Sequence, residues 1–142
     1  MRKPLAALAV AAFLLTGCSA EPEPDETNPY MPQVIRYEVE TSNGKTIPAG
    51  KPITADLTIS TADGTEQATV ALPLKSKDGS IGYKQSFLPG NFVSISAQKG
   101  DYYGDITCRI VTSDIGGGTE TVLSENTSSG QYAVVSCSGM TR

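Results

Sequence analysis

The sequence predicts an all-β protein, an immunoglobulin-like antiparallel β-sandwich of about seven to eight strands. From Val34 onward, apolar and polar residues alternate with a period of two, which is typical of strands that bury one face. Turn-forming residues separate these segments about every 10 to 12 residues, and no segment after residue 34 keeps a helical period. Short strands at this spacing are typical of a sandwich of immunoglobulin-like proportions.

The first strands follow from alternation and from one hairpin signal. Ile35, Tyr37 and Val39 alternate with charged residues, which predicts a half-buried first strand. Ala62-Asp63-Gly64 is a tight-turn sequence that joins a second strand to its return strand, and Pro73 limits that return strand. We expect strands at 34–40, 53–60, 66–72, 81–87, 92–98, 106–110, 121–125 and 132–138.

The later strands are separated by sequences rich in glycine, asparagine, aspartate and serine. Ile81, Tyr83 and Phe87 are expected to share one face of their strand. A triple glycine is expected to form a mobile hairpin tip. We expect turns at 77–80, 88–91, 99–104, 116–118 and 127–130.

The first 18 residues are expected to direct export. Arg2 and Lys3 precede an apolar run over 5–15, which is too short to span a bilayer comfortably and fits a signal peptide. The run ends in Leu15-Thr16-Gly17-Cys18, which resembles the lipobox of bacterial lipoproteins, in which the cysteine thiol is acylated and becomes the new N-terminus. We therefore expect residues 1–17 to be a signal peptide and Cys18 to hold the chain to a membrane by fatty acyl chains. An ordinary signal peptide that happens to contain a cysteine is the alternative.

Residues 18–33 are expected to form a tether between the lipid and the folded domain at 34–142. The segment holds four prolines and four acidic residues and has almost nothing to bury, which predicts a disordered spacer. A polyproline-like chain of about 15 residues reaches roughly 45 Å. A docking motif for a partner is the alternative.

Two cysteines remain once Cys18 is assigned to lipid. An even pair in an exported chain predicts one disulfide, between Cys108 and Cys137. Both are expected on the inward faces of their strands, so that a bridge within the core is sterically allowed. Two free buried thiols are the alternative, and two sulfurs without a histidine make at most half a metal site.

Composition argues against several classes of function. The chain has a net charge of −4, and loss of Arg2 and Lys3 makes the remainder more negative, so we expect no nucleic acid partner. Histidine, the commonest general base and zinc ligand, is absent from the sequence. We therefore expect no enzymatic activity, no cofactor and no metal site. A glycosidase-like pair of carboxylates stays open at this point.

The sequence contains a few further candidate functional residues. Tyr102 and Tyr103 are candidates for contacting a partner, and the alternative is that one packs at the sheet edge while the other is solvated. Arg109 is expected on the outward face near Tyr102, stacking or pairing locally. Gly116-Gly117-Gly118 lacks the lysine of a phosphate loop. Asn126-Thr127-Ser128 matches a glycosylation sequon, but we expect a plain turn there.

From residue 34 to 139 the chain resembles the soluble domain of the MmpS family, the mycobacterial membrane protein small family. The last third is the most specific part, because it puts both cysteines in matching contexts, Ile106-Thr107-Cys108-Arg109-Ile110 and Val134-Val135-Ser136-Cys137. Three departures stand out. A lipobox takes the place of the family's spanning helix, the tryptophan that often follows the early Leu-Pro is missing after Leu72-Pro73, and the hairpin with the triple glycine is longer.

The resemblance implies an actinobacterial protein of the cell envelope, on the outer face of the cytoplasmic membrane. It also implies an accessory role beside MmpL transporters, of the resistance-nodulation-division type, which export lipids and lipid-like siderophores. Two other hypotheses stay open. One is a free-standing envelope lipoprotein that binds a small apolar ligand or a cell-envelope component. The other is a purely structural or adhesive sandwich.

Overall fold

The computed structural model describes residues 31–42 and 52–142, which form two antiparallel β-sheets of four strands each. No helix occurs in these two ranges, and the predicted all-β sandwich is confirmed. The strands are β1 (Gln33–Ser42), β2 (Thr54–Thr61), β3 (Gly64–Ala71), β4 (Tyr83–Phe87), β5 (Phe92–Lys99), β6 (Asp105–Asp114), β7 (Thr121–Ser129) and β8 (Val134–Met140).

The order of the strands is β4-β1-β6-β7 in the first sheet and β3-β2-β5-β8 in the second. Two of these pairs, β2 with β3 and β6 with β7, are hairpins, whereas the other pairs join strands that are distant in sequence. Immunoglobulin constant domains order their first, second, fifth and fourth strands in one sheet and their third, sixth and seventh in the other. The likeness to that fold therefore lies in proportions and layers, and the strand order differs.

Alternation along the strands carries one row of side chains from each sheet into a shared core. Tyr37 is fully buried there, and its hydroxyl donates to the carbonyl of Ser60 at 2.9 Å, which satisfies the polar end of the ring. Full burial of an aliphatic side chain contributes about 1.5 to 3 kcal/mol relative to exposure. The largest fully buried apolar side chains are Ile35, Tyr37, Val39, Val93, Ile95, Ile106, Cys108, Ile110 and Val135.

The chain passes from the second sheet to the first between β3 and β4. The Leu72 amide donates to the carbonyl of Ile53, just ahead of β2, at 2.8 Å, and the Leu74 amide donates to Val39 of β1 at 2.9 Å. Pro73 lies between them, after a cis peptide bond, and has no amide to donate. Leu74 then enters the core, so this crossing closes the side of the sandwich that carries β3 and β4.

The predicted fourth strand begins too early. β4 starts at Tyr83, because Gly82 has a positive φ of 87° and bends the chain. The bend breaks the alternation, and Ile81, expected inward beside Tyr83, is 59% exposed. The first strand differs slightly at its start, since β1 begins at Gln33, one residue before the predicted domain boundary.

The predicted turn at 127–130 is wrong. β7 continues to Ser129, so Asn126-Thr127-Ser128 lies in a strand and not in a turn. Both faces of this edge strand carry exposed polar residues. The alternation of apolar and polar residues that reveals a half-buried strand is therefore missing from it. The chain turns instead at Gly130 and at Tyr132, whose φ is 56°, and β8 begins at Val134, two residues later than expected.

The register defines two ends of the sandwich. At one end β1 begins at Gln33, opposite Asp114 of β6, while Phe92 of β5 lies opposite Met140 of β8. The two sheets meet there, because the Arg142 amide donates to the Gln33 side-chain oxygen at 2.8 Å. We call this the tether end, since the predicted tether precedes β1. The opposite end, the far end, carries the β5–β6 and β7–β8 turns.

Candidate functional site

A disulfide joins the two sheets. Cys108 of β6 and Cys137 of β8 are bonded with an S–S distance of 2.03 Å and a Cα–Cα distance of 6.1 Å. Both residues are buried in the core, as their positions among aliphatic residues predicted. The predicted pairing is therefore confirmed. The bond is a cross-link between the layers, and β7 lies inside the loop that it closes.

The outer face of the first sheet carries a ladder of paired charges. Glu38 of β1 accepts from two arginines, from Arg36 Nε at 2.6 Å and from Arg109 Nη1 at 3.1 Å. Each arginine also binds a second carboxylate. Arg109 Nε donates to Glu125 at 2.5 Å, and Arg36 donates through both terminal nitrogens to Glu120, with Nη2 at 2.9 Å. We refer to these five residues as the charge ladder.

The pairing favours the charged forms of Glu120 and Arg109. Hydrogen bonds from Arg36 lower the pKa of the Glu120 carboxyl below its ordinary value. Hydrogen bonds to Glu125 and then to Glu38 raise the pKa of Arg109. A carboxyl that serves as a general acid needs its pKa raised. The pKa of Glu120 moves the other way. The pairing makes the ladder a structural clamp across β1, β6 and β7.

Arg109 lies on the outward face, as predicted, and it pairs locally. Its partners are the carboxylates of Glu38 and Glu125, however, and not Tyr102. The register explains the choice, because Arg109 lies directly opposite Glu38 on one side and Glu125 on the other. Direct cross-strand neighbours lie close enough for their side chains to interact.

A buried lysine lies at the far end. Lys99 is 1% exposed, its ammonium donates to the carbonyl of Gly104, and its nitrogen lies 5.1 Å from the centre of the Tyr102 ring. Burial lowers the pKa of Lys99, and the charge of Asp105 opposes that shift. We expected Lys99 to begin the turn at 99–104, whereas β5 runs through it. The signal was present, because Lys99 continues the inward row of β5 after Ala97.

The two tyrosines behave differently, and the alternative in which one packs and the other is solvated is confirmed. Tyr102 is buried, and its hydroxyl donates to the carbonyl of Thr54 at 3.2 Å. Burial raises the pKa of Tyr102 to about 12. Tyr103 is exposed. Gly116 and Gly117 lie in the tight turn between β6 and β7, at the predicted hairpin tip.

The tether end concentrates exposed apolar side chains. Phe92 and Met140 are cross-strand partners on the outer face of the second sheet, and both are more than half exposed. Leu88 is next to them, because Asn91 donates to the Leu88 carbonyl at 2.8 Å. Thr141 also donates to that carbonyl, at 2.7 Å, so the turn between β4 and β5 is held against the end of β8. Met31 and Ile115 are also more than half exposed at this end. We refer to Met31, Leu88, Phe92, Ile115 and Met140 as the apolar end patch.

Several predicted features lie outside the described residues. They are the signal peptide at 1–17, the lipidated Cys18 and residues 18–30 of the tether. Among the residues that the structure does describe, no helix is both long and apolar enough to cross a membrane. Among the same residues, no three acidic or cysteine side chains are grouped so that they could hold a metal ion.

Comparison of the chain with protein-family models, with curated proteins and with solved structures found no match.

Proposed function

We propose that this protein is a lipid-anchored binding module on the outer face of the cytoplasmic membrane and that it acts without enzymatic chemistry. The observation that carries the proposal is the buried disulfide between Cys108 and Cys137. Structural disulfides belong to exported proteins and are rare in the cytosol. The disulfide therefore supports export independently of the first 18 residues, in which the sequence predicts a signal peptide and a lipobox.

The charge ladder supports a non-enzymatic role. The ladder carboxylates, which are the obvious candidates for an acid–base pair, are each bound by an arginine. A carboxylate whose oxygens are already bound by a guanidinium is poorly placed to exchange a proton with a substrate. The same pairing stiffens the outer face of the first sheet, which suits a surface that has to keep its shape when it meets a partner.

The resemblance to the MmpS family supports a more specific role. In this proposal the module assists an MmpL-type transporter in exporting lipids or lipid-like siderophores. The apolar end patch and the predicted tether fit a protein that works at a membrane surface. The alternative is a free-standing lipoprotein that binds a small apolar ligand or an envelope component.

The anchor is tested by feeding cells a fatty acid that carries a chemical tag. The wild type should take up the tag, and the Cys18→Ser variant should not. The matched control is the double variant Cys108→Ala/Cys137→Ala, which should still take up the tag because its cysteine at 18 is intact. An untagged wild type, or tag that persists in Cys18→Ser, would contradict the anchor.

The transporter partnership is tested by cross-linking intact cells and capturing the protein from the membrane fraction. An MmpL-type transporter should be recovered with the wild type and lost with Cys18→Ser, which is no longer held at the surface by acyl chains. Repeated capture without a transporter would contradict this partnership. If a native mass spectrum then showed a co-purifying lipid, the result would favour the free-standing lipoprotein.

A further inference from the structure

We propose that the tether end of the sandwich rests directly on the lipid bilayer, with the apolar end patch as the contact. This inference rests on the lipid anchor of the proposed function and adds an orientation to it. The domain would stand with its strands pointing away from the membrane, and the far end would be presented to the envelope.

The first argument is where the exposed apolar side chains lie. Phe92 and Met140 stand side by side at the last position of the second sheet before the tether end. The rest of that outer face is mainly hydroxyl and amide side chains, as at Ser94, Ser96 and Ser136. Large exposed apolar groups gathered at one end of a domain mark an interaction site, whereas single scattered ones do not.

The second argument is where the chain enters the domain. The described chain starts at Met31, itself part of the patch, and β1 begins two residues later. The tether from Cys18 therefore arrives at the end of the sandwich that carries the apolar side chains. A tether of the predicted reach, roughly 45 Å, keeps the domain near the surface that holds its anchor and so raises its effective concentration there. Because the anchor already supplies the encounter, a few apolar side chains are enough to favour contact.

The third argument is charge. The charged side chains around the tether end include Asp63, Asp114, Glu120 and Arg142, so acids outnumber bases there. Such an end gains nothing from anionic lipid head groups, which attract lysine and arginine. The contact we propose is therefore apolar. It should form on zwitterionic lipid and should persist at high salt, which screens charges but strengthens apolar association.

The far end provides a built-in comparison. It also exposes large side chains, among them Tyr103 and Tyr132. They lie at the other end of the strands from the entry of the tether. If the orientation is right, a probe at Tyr103 remains in water while a probe at Phe92 meets the acyl chains.

The experiment uses the absence of tryptophan from the sequence, because a single introduced tryptophan is then the only indole in the protein. Full-length protein with Phe92→Trp, purified as the cell makes it, is mixed with phosphatidylcholine vesicles whose acyl chains are brominated. We expect a blue-shifted emission that bromine quenches, in low salt and in high salt alike. Leu88→Trp is a second reporter on the same patch, in case one substitution disturbs folding. Tyr103→Trp is the control and should be neither shifted nor quenched.

Flotation of the vesicles separates the possible outcomes. If the protein does not float with the vesicles, the anchor is wrong and the inference falls with it. If it floats and neither patch reporter is quenched, the orientation alone is wrong. A blue shift without quenching would also overturn the inference, because it would mean that protein and not lipid covers the patch. Equal quenching at positions 92 and 103 would mean that the domain has no preferred end.

Discussion

Gly82 lies against Arg36 so closely that a Cβ added at position 82 would be 2.6 Å from Arg36 Cγ. The same Cβ would be 2.9 Å from the backbone carbonyl oxygen of Tyr37. Gly82 also has a positive φ of 87°, which other residues rarely adopt. The bend that starts β4 and the packing of Arg36 in the charge ladder therefore both depend on a residue without a side chain.

We predict that Gly82→Ala lowers the free energy of unfolding by about 2 to 5 kcal/mol, since it adds crowding to an unfavourable φ. Gly79→Ala is the matched control. Gly79 has a similar φ of 81°, but a Cβ there would meet nothing within 4 Å. Gly79→Ala should lose only about 1 to 2 kcal/mol, the cost of holding a residue with a side chain at a positive φ. Urea unfolding of the two variants measures the difference, and equal losses would contradict the close packing at Gly82.

The disulfide should be a major source of stability. We predict that the double variant Cys108→Ala/Cys137→Ala lowers the free energy of unfolding by about 3 to 4 kcal/mol. The two cysteines are 29 positions apart, and without the bond the loop between them is no longer closed in the unfolded chain. The measurement is urea unfolding with and without a reducing agent. Reductant should destabilise the wild type and leave the double variant unchanged. A wild type that is indifferent to reductant after denaturation would mean that the bond does not form.

Glu38 links the two arginines of the charge ladder, and its loss should be felt at both. We predict that Glu38→Gln costs about 1 kcal/mol of stability, since exposed and partly exposed ion pairs contribute modestly. The cost should shrink as salt is added, because mobile ions screen the pairs. Glu40→Gln is the control, because Glu40 lies two residues further along the same face of β1. It should leave the free energy of unfolding nearly unchanged. A loss for Glu38→Gln that salt does not change would argue that the glutamate acts through packing.

Tyr102 should govern part of the response to alkaline pH. Its pKa is raised from 10 to about 12 by burial, so the folded state favours the neutral phenol. The folding stability that the neutral phenol of Tyr102 contributes is fully present below about pH 10 and is lost as the pH rises through about 12. A rise in pKa from 10 to about 12 corresponds to at most about 2.7 kcal/mol of folding free energy.

The variant Tyr102→Phe tests this pH dependence. It should be less stable than the wild type at neutral pH by about 1 kcal/mol, because its hydrogen bond to Thr54 is lost. Its decline between pH 10 and 12 should be shallower, as followed by circular dichroism during urea unfolding. Tyr103→Phe, at an exposed position, should leave the wild-type slope unchanged. The raised pKa of the buried Tyr37 is common to all three proteins and cancels from the comparison. Parallel curves for Tyr102→Phe and the wild type would contradict the burial of Tyr102.

The sequence was informative wherever one face of a strand is buried and the other is solvated. The inward rows of β1, β2 and β5 could be predicted from alternation alone. The disulfide could be predicted from the even pair of cysteines left in an exported chain. Alternation fails for β7, whose exposed edge position lets polar residues occupy both faces. It also fails at Gly82, because an alternating pattern does not show where a glycine bends the chain.

The candidate surfaces depend on pairings that a single sequence does not reveal. Phe92 and Met140 are 48 positions apart, and only the pairing of β5 with β8 makes them neighbours. The charge ladder likewise depends on β1 lying beside β6, which the hairpins along the chain do not predict. Lys99 was missed for a different reason, since a lysine at the end of a strand is usually assigned to the turn.

The most direct test of the account is the mass of the mature protein, extracted from membranes and kept non-reduced. We predict a chain that begins at Cys18, carries acyl groups on that residue and contains a peptide in which Cys108 is joined to Cys137. An unacylated chain that still starts at Met1 and holds two free thiols at positions 108 and 137 would contradict the central claim.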